Sequence, residues 1–171
     1  VFNVGVQDAH KVDGSENSVT ATIKDLTIIG NTEYIRAGIN AYAMRDPTET
    51  TGKTDLTLQG VTIQDCGTFS LGINNSTVKI EKCDLADGGW TYAIDADKGT
   101  TNLIVESGTI GTVKFGKGST LNNAAISNGD FQMIYVVQDA KQDIRITGGT
   151  YANDVSGYCA EGYAYCKYIR V

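Results

Sequence analysis

The chain has 171 residues, a formal net charge of −6, 20 glycines, one proline and four cysteines. That length supports one domain with a sizeable core, and the acidic balance excludes a nucleic-acid partner, which needs a basic face. No apolar run approaches the ~18 residues of a membrane span, so direct membrane insertion is excluded too.

Residues 1–20 hold DAHKVDGSEN and the only histidine, His10, and read as an N-terminal cap or loop. From there a six-residue pattern, apolar-x-x-small or apolar-x-apolar, recurs along the chain. It reads IKDLTI at 23–28, LQGVTI at 58–63, IEKCDL at 80–85, VESGTI at 105–110, LNNAAI at 121–126 and ITGGTY at 146–151. The starts fall 35, 22, 25, 16 and 25 residues apart. A second pattern, GIN, GIN, AID, KFG and YVV, centres on Ile39, Ile73, Ile94, Phe115 and Val136; after a first gap of 34 residues its spacing is 21.

Repetition at about this length marks a solenoid. The absence of a 3.6-residue apolar period excludes a helical one, and the leucine-asparagine signature of leucine-rich repeats is missing. The expectation is an all-β fold. It is a single-stranded, right-handed parallel β-helix of about six coils over 21–151, with a short helical cap over 152–171, in one domain spanning 1–171. Each strand stacks on its equivalent in the next coil about 4.8 Å away. Ile, Val and Leu point inward, and Lys, Gln, Glu and Thr point out.

The long first gap places an insertion at YAMRDPTETTGKTD, 42–55, which carries the single proline. Solenoid insertions collect where ligands bind, and arginine and aromatic residues dominate binding hot spots. Tyr42, Met44 and Arg45 are therefore candidate binding residues, against the plainer reading of a tolerated surface loop.

Cys66, Cys83, Cys159 and Cys166 allow two disulfides with three connectivities. Zinc lacks both a CxxC and a histidine partner, so neither metal nor cofactor is expected. Cys66 and Cys83 are either paired or simply small and buried. A Cys159–Cys166 bridge would close a small loop, worth roughly 2.5 kcal/mol by chain entropy.

In GGWTYAIDADKG, strand alternation puts Trp90, Tyr92, Ile94 and Ala96 inside, unless Gly88–Gly89 bends the strand and frees an aromatic platform. Asp95 and Asp97 then point out, about 6.7 Å apart. That separation suits an inverting glycosidase. The rung positions equivalent to Asp95 would be Asn40, Asn74, Gly116 and Val137, so no third acid lines up. Asn40, Asn74 and Asp95 form an expected polar ladder. DADKG lacks the later glutamate of a calcium loop, and no GxSxG is present.

The tail, GGTYANDVSGYCAEGYAY (148–165), looks out of place after so many β-branched residues. An open coil end exposes unpaired backbone, which a non-repeat segment can cover. Asp154 is a good helix N-cap, Val155–Glu161 would make two short turns, and Gly162 would stop them. Tyr158, Tyr163 and Tyr165 would then lie over the open core.

ITGGTYANDVSGYCAEGY, 146–163, resembles the Gly-Gly-Thr-Phe-Ser-x-Asp-Pro-Ser-x-Tyr-Val-Ala-Glu-Gly-Tyr ending of coils in large surface proteins of gut Gram-positive bacteria. Gly148, Gly149, Thr150, Asp154, Tyr158, Ala160, Glu161, Gly162 and Tyr163 match that ending, about a tenth of the chain. Val155 replaces its proline and Cys159 its valine. The resemblance implies a parallel β-helix module, monomeric within a longer wall-anchored or secreted chain. It also implies a Cys159–Cys166 disulfide, suited to that oxidising setting. The expected function is an adhesin-like module that binds a host protein or glycoprotein, immunoglobulin being one candidate. The alternatives are a carbohydrate-active enzyme using Asp95 and Asp97, and a passive stalk.

Overall fold

The computed structural model describes residues 2–5, 17–34, 36–43 and 52–165. It is an all-β solenoid of parallel strands with almost no helix, and the unbroken stretch 52–165 makes about four turns. The leading turns comprise β1 (Phe2–Gly5), β2 (Asn17–Lys24), β3 (Thr27–Ile29), β4 (Ile39–Tyr42), β5 (Gly52–Gln59) and β6 (Thr62–Gln64). Next come β7 (Leu71–Asn74), β8 (Ser76–Glu81), β9 (Cys83–Leu85), the long β10 (Ile94–Val105) and β11 (Gly108–Phe115). β12 (Ser119–Ile126), β13 (Asp130–Val136), β14 (Gln142–Ile146) and β15 (Thr150–Tyr151) follow.

These strands build three faces. On the first, β1, β4, β7, Ile94–Ala96 of β10, Val113–Phe115 of β11 and Ile134–Val136 of β13 stack in parallel. The second carries β2, β5, β8, the rest of β10, β12 and β14. The third carries β3, β6, β9, the starts of β11 and β13, and β15. Residues 2–5 and 17–20, expected in an N-terminal cap, are already rungs; His10 lies outside the described residues.

The hexapeptides are the corner between the second and third faces. Ile23, Leu58, Ile80, Val105, Ile126 and Ile146 follow one another in register. So do Ile28, Ile63, Leu85, Ile110, Phe131 and Tyr151. One expected member is corrected: the fifth is ISNGDF, 126–131, not LNNAAI. With that change the spacing evens to 35, 22, 25, 21 and 20 residues. Gly108, Gly129 and Gly149 turn this corner at φ of 145°, 134° and 105°, which a side chain resists.

The interior is one continuous apolar column with a polar thread inside the second face. Thr54, Ser76, Thr101 and Asn122 are all buried there. Thr54 donates its hydroxyl to the Tyr42 carbonyl (2.7 Å) and Ser76 to that of Asn74 (2.8 Å). The Asn122 amide donates to the Gly116 and Lys141 carbonyls, while its oxygen accepts from the Thr101 hydroxyl. These bonds tie the corner carbonyls between the first two faces. The expected ladder of Asn40, Asn74 and Asp95 does not form. Asn40 instead donates to Asn3 (3.2 Å), and an outward amide ladder runs Asn123–Asn102–Thr77 on the second face.

The tail is less helical than its sequence suggests. Asp154 Oδ1 accepts from the Ser156 N–H, but only one 3-10 turn, Ser156–Tyr158, follows. Gly162 takes the left-handed φ of 83°. Cys159 makes a parallel bridge to Ile146, and Val155 is buried at the core's end with Tyr158 and Tyr165 packed beside it. Tyr163 remains exposed. Among the described residues no helix is long and apolar enough to cross a membrane.

No disulfide joins the described cysteines: Cys66, Cys83 and Cys159 are free thiols, and Cys166 lies outside the described residues. Burial pushes the Cys66 and Cys83 thiols above their ordinary value, and burial does the same to the Tyr151 phenol. A group whose pKa is raised by folding lends stability that is complete below its unfolded pKa and disappears as pH rises through its folded one. The melting temperature should therefore hold level from pH 6 to 8 and fall above about pH 9, where unfolded thiols and then phenols ionise. A level profile up to pH 11 would contradict this assignment.

Candidate functional site

The loop before β10 shapes the most distinctive surface. Gly88 and Gly89 lie so close to the Thr68 and Gly67 carbonyls that a side chain at either position would collide with backbone. This lets Gly89 N–H bond to the Cys66 carbonyl (2.9 Å) and Trp90 N–H to that of Thr68 (3.0 Å). Thr91, at φ 65°, closes the turn onto Gly88. The chain is therefore turned before it enters the strand, and Trp90 is 52 % exposed rather than inside. Its ring meets the edge of Phe69 at 5.8 Å, and Phe69 lies where a side chain at Gly72 would stand, 2.8 Å from an added Cβ.

Gly72 occupies the middle of the outward column Asn3–Asn40–Gly72–Asp95–Lys114–Tyr135. With no side chain there, a groove of about 530 Å³ opens between Asn40 and Asp95, with Phe69 and Trp90 along one wall and Asp97 and Lys98 beyond. Thr68 also lines it, and its buried hydroxyl has no hydrogen-bond partner.

Asp95 and Asp97 do share the outer surface while Ile94 and Ala96 are buried. Their rung equivalents differ from expectation: Asp95 is followed by Lys114 and then Tyr135, not Gly116 and Val137. Lys114 Nζ lies 2.9 Å from Asp95 Oδ1 and 3.6 Å from Asp97 Oδ2. The Gly118 N–H also donates to Asp97. Burial works against the Lys114 charge, but the hydrogen bond it donates to Asp95 and the charges of both carboxylates outweigh it and push the ammonium above its ordinary value. Lys114 also sits 5.2 Å from the centre of the Tyr92 ring, which stacks on Tyr135 at 6.4 Å.

A lyase base must give up its proton near neutral pH, and Lys114 is held the other way. A glycosidase needs a carboxyl free to face its substrate, yet here one ammonium lies against both aspartates. Among the described residues no cluster of His, Cys, Asp and Glu could hold a metal ion.

Of the expected binding residues, Tyr42 ends β4, half-buried; Met44 and Arg45 lie outside the described residues. The expected 42–55 insertion is shorter on its C-terminal side, since β5 begins at Gly52.

No protein-family model, curated protein or solved structure matches the chain. Lys114, Phe69 and Tyr135 are the site residues that sequence reasoning missed. Phe69 and Gly72 could have been suspected from TFSLGIN, where an aromatic precedes a glycine at an outward position.

Proposed function

We propose that the chain is a non-enzymatic binding module of a secreted or wall-attached surface protein, and that it recognises a host protein or glycoprotein, immunoglobulin among the candidates. One observation carries this reading: the first face and the corner leading into it expose Trp90, Met133 and Tyr135, with Phe69 half-buried against Trp90 and Tyr92 half-buried against Tyr135. Exposed aromatic and Met side chains mark interaction surfaces, and a passive stalk has no use for them. Lys114, ion-paired with both aspartates, supports binding over catalysis. The bacterial surface setting rests on the 146–163 motif alone.

Under the same reading the solenoid is right-handed, as parallel crossovers almost always are, and has six coils, a count that the six rungs of each face support. The tail serves as its cap, and the Cys159 thiol, free in the structure, is available to pair with Cys166 in the oxidising exterior. The module is monomeric within a longer chain.

Biolayer interferometry against immunoglobulins and mucins tests the proposal. A micromolar or tighter partner should lose about tenfold in affinity with Tyr135→Ala, a typical cost for an aromatic hot spot. Silence across the panel, or polysaccharide cleavage abolished by Asp95→Asn with Asp97→Asn, would refute it.

A further inference from the structure

We infer that the groove between Asn40 and Asp95 is a saccharide subsite, in which one uncharged sugar ring stacks on Trp90 and its hydroxyls bond the flanking amides. This inference rests on the reading of the chain as a binding module and names the class of ligand.

The platform comes first. Trp90 is half-exposed although it is the largest side chain the loop could bury, and its position is over-determined. Gly88 and Gly89 permit the close backbone approach, two main-chain bonds anchor the loop to Cys66 and Thr68, and Phe69 supports the indole from the edge. An aromatic ring held rigidly at low entropic cost suits a flat, partly apolar ligand surface. The C–H face of a pyranose is such a surface.

The groove's polar groups select the rest of the ligand. Asn3, Asn40 and Asn74 each bring an amide, and an amide both donates and accepts, as sugar hydroxyls do. Asn3 and Asn40 are already bonded to each other, which orients them without exhausting either. The Thr68 hydroxyl in the wall lacks a protein partner, and buried polar groups are ordinarily satisfied.

Charge decides between neutral and ionic sugars. Asp95, Asp97, Arg36, Lys98 and Lys114 together give two negative and three positive charges. Lys114 is already committed to both carboxylates. What remains is one uncompensated carboxylate charge with Arg36 and Lys98 at an exposed rim, in a protein with net charge −6, a mixed arrangement with no strong field for either ion. An uncharged ligand suffers least from it. A volume of about 530 Å³ lies within the 300–1,000 Å³ of small-ligand sites.

Trp90 is the chain's only tryptophan, so its fluorescence reports on this groove alone. The experiment titrates the whole chain with neutral oligosaccharides of glucose, galactose, mannose and N-acetylglucosamine, with sialylated and uronate oligosaccharides as the charged arm. At least one neutral probe should produce a saturable emission change. Calorimetry should show binding to that probe weakened at least tenfold by Trp90→Ala and only a few-fold by Trp90→Phe. Gly72→Ala, whose added Cβ would press on both Asn40 and Phe69, should weaken it as well, with the circular dichroism spectrum unchanged in each variant. No response to any neutral probe, or a stronger response to the charged arm, overturns the inference. Binding to a host glycoprotein that survives its enzymatic deglycosylation also overturns the saccharide subsite, while leaving the binding module standing; loss of binding to both sugars and glycoproteins removes both.

Discussion

Replacing Phe115 with alanine should destabilise the solenoid by about 3–5 kcal/mol, the usual range for truncating a buried phenylalanine. Phe115 is the largest fully buried side chain. It stands in the inward column Ala41–Ile73–Ala96–Phe115–Val136, directly after a small residue. Its ring fills space that Ala96 leaves, so the truncation removes the filling from two rungs at once. A urea titration would read the loss as a lowered midpoint. Adding Ala96→Leu should recover part of it, because the core tolerates a redistribution of volume better than a void. An unfolding free energy within about 1 kcal/mol of the parent would show that the column collapses freely around the gap.

The second large effect belongs to Asn122→Leu. Asn122 is fully buried and engaged in three hydrogen bonds, to Thr101, Gly116 and Lys141. Leucine keeps the bulk but strands the Thr101 hydroxyl and the Gly116 carbonyl, while the Lys141 carbonyl keeps the Asn122 N–H. Each stranded group costs about 1–3 kcal/mol, so a total of roughly 2–4 kcal/mol is expected. The location makes the failure local. Solenoid coils touch only their neighbours, and the lost bonds hold the chain after residue 116. Trp90 lies in an earlier turn. Unfolding followed by Trp90 fluorescence should therefore lag unfolding followed by circular dichroism, whereas the two coincide in the parent chain. Asn122→Asp sharpens the test. A buried carboxylate facing two carbonyls keeps its proton, so this variant should weaken further as pH rises above about 4. Coincident transitions in both variants would place the polar thread outside the stabilising core.

The repeat was legible because burial imposes it. Each hexapeptide needs an apolar residue on both sides of a corner, and five of the six were found on that basis. LNNAAI was chosen in place of ISNGDF because its apolar ends satisfy the same template. The better signal was Gly-x-aromatic or Gly-x-Ile at Gly108, Gly129 and Gly149, which carries the backbone requirement as well as the burial. The other misreading was a two-residue slip. Ile39 pairs with Leu71, not with Ile73, and Ile94 with Val113, not with Phe115. In a strand, a shift of two leaves every side chain on the same face, so hydrophobic alternation is blind to it. That slip hid Lys114 behind Gly116 and made Asp95 and Asp97 look like an uncompensated pair. Trp90 was misplaced for a different reason. Alternation extrapolates a strand backwards until something stops it, and here two close backbone approaches at Gly88 and Gly89 do so. Tight approach between coils is a tertiary fact, invisible to a pattern within one segment.

The three ladders also have a mechanical consequence. The first rungs, β1 to β3, and the last, β13 to β15, lie at opposite ends of the stack. Tension between the two ends would act on the terminal coil while the interior coils are still clamped by neighbours on both sides. The chain would then yield by peeling, one coil per event, each freeing the 20 to 25 residues that separate successive corners from Leu58 onward. At about 3.3–3.6 Å per residue, each event pays out roughly 65–90 Å of slack. A module of this kind would absorb a sudden pull in instalments, with Trp90 and its groove among the interior turns that outlast the first releases.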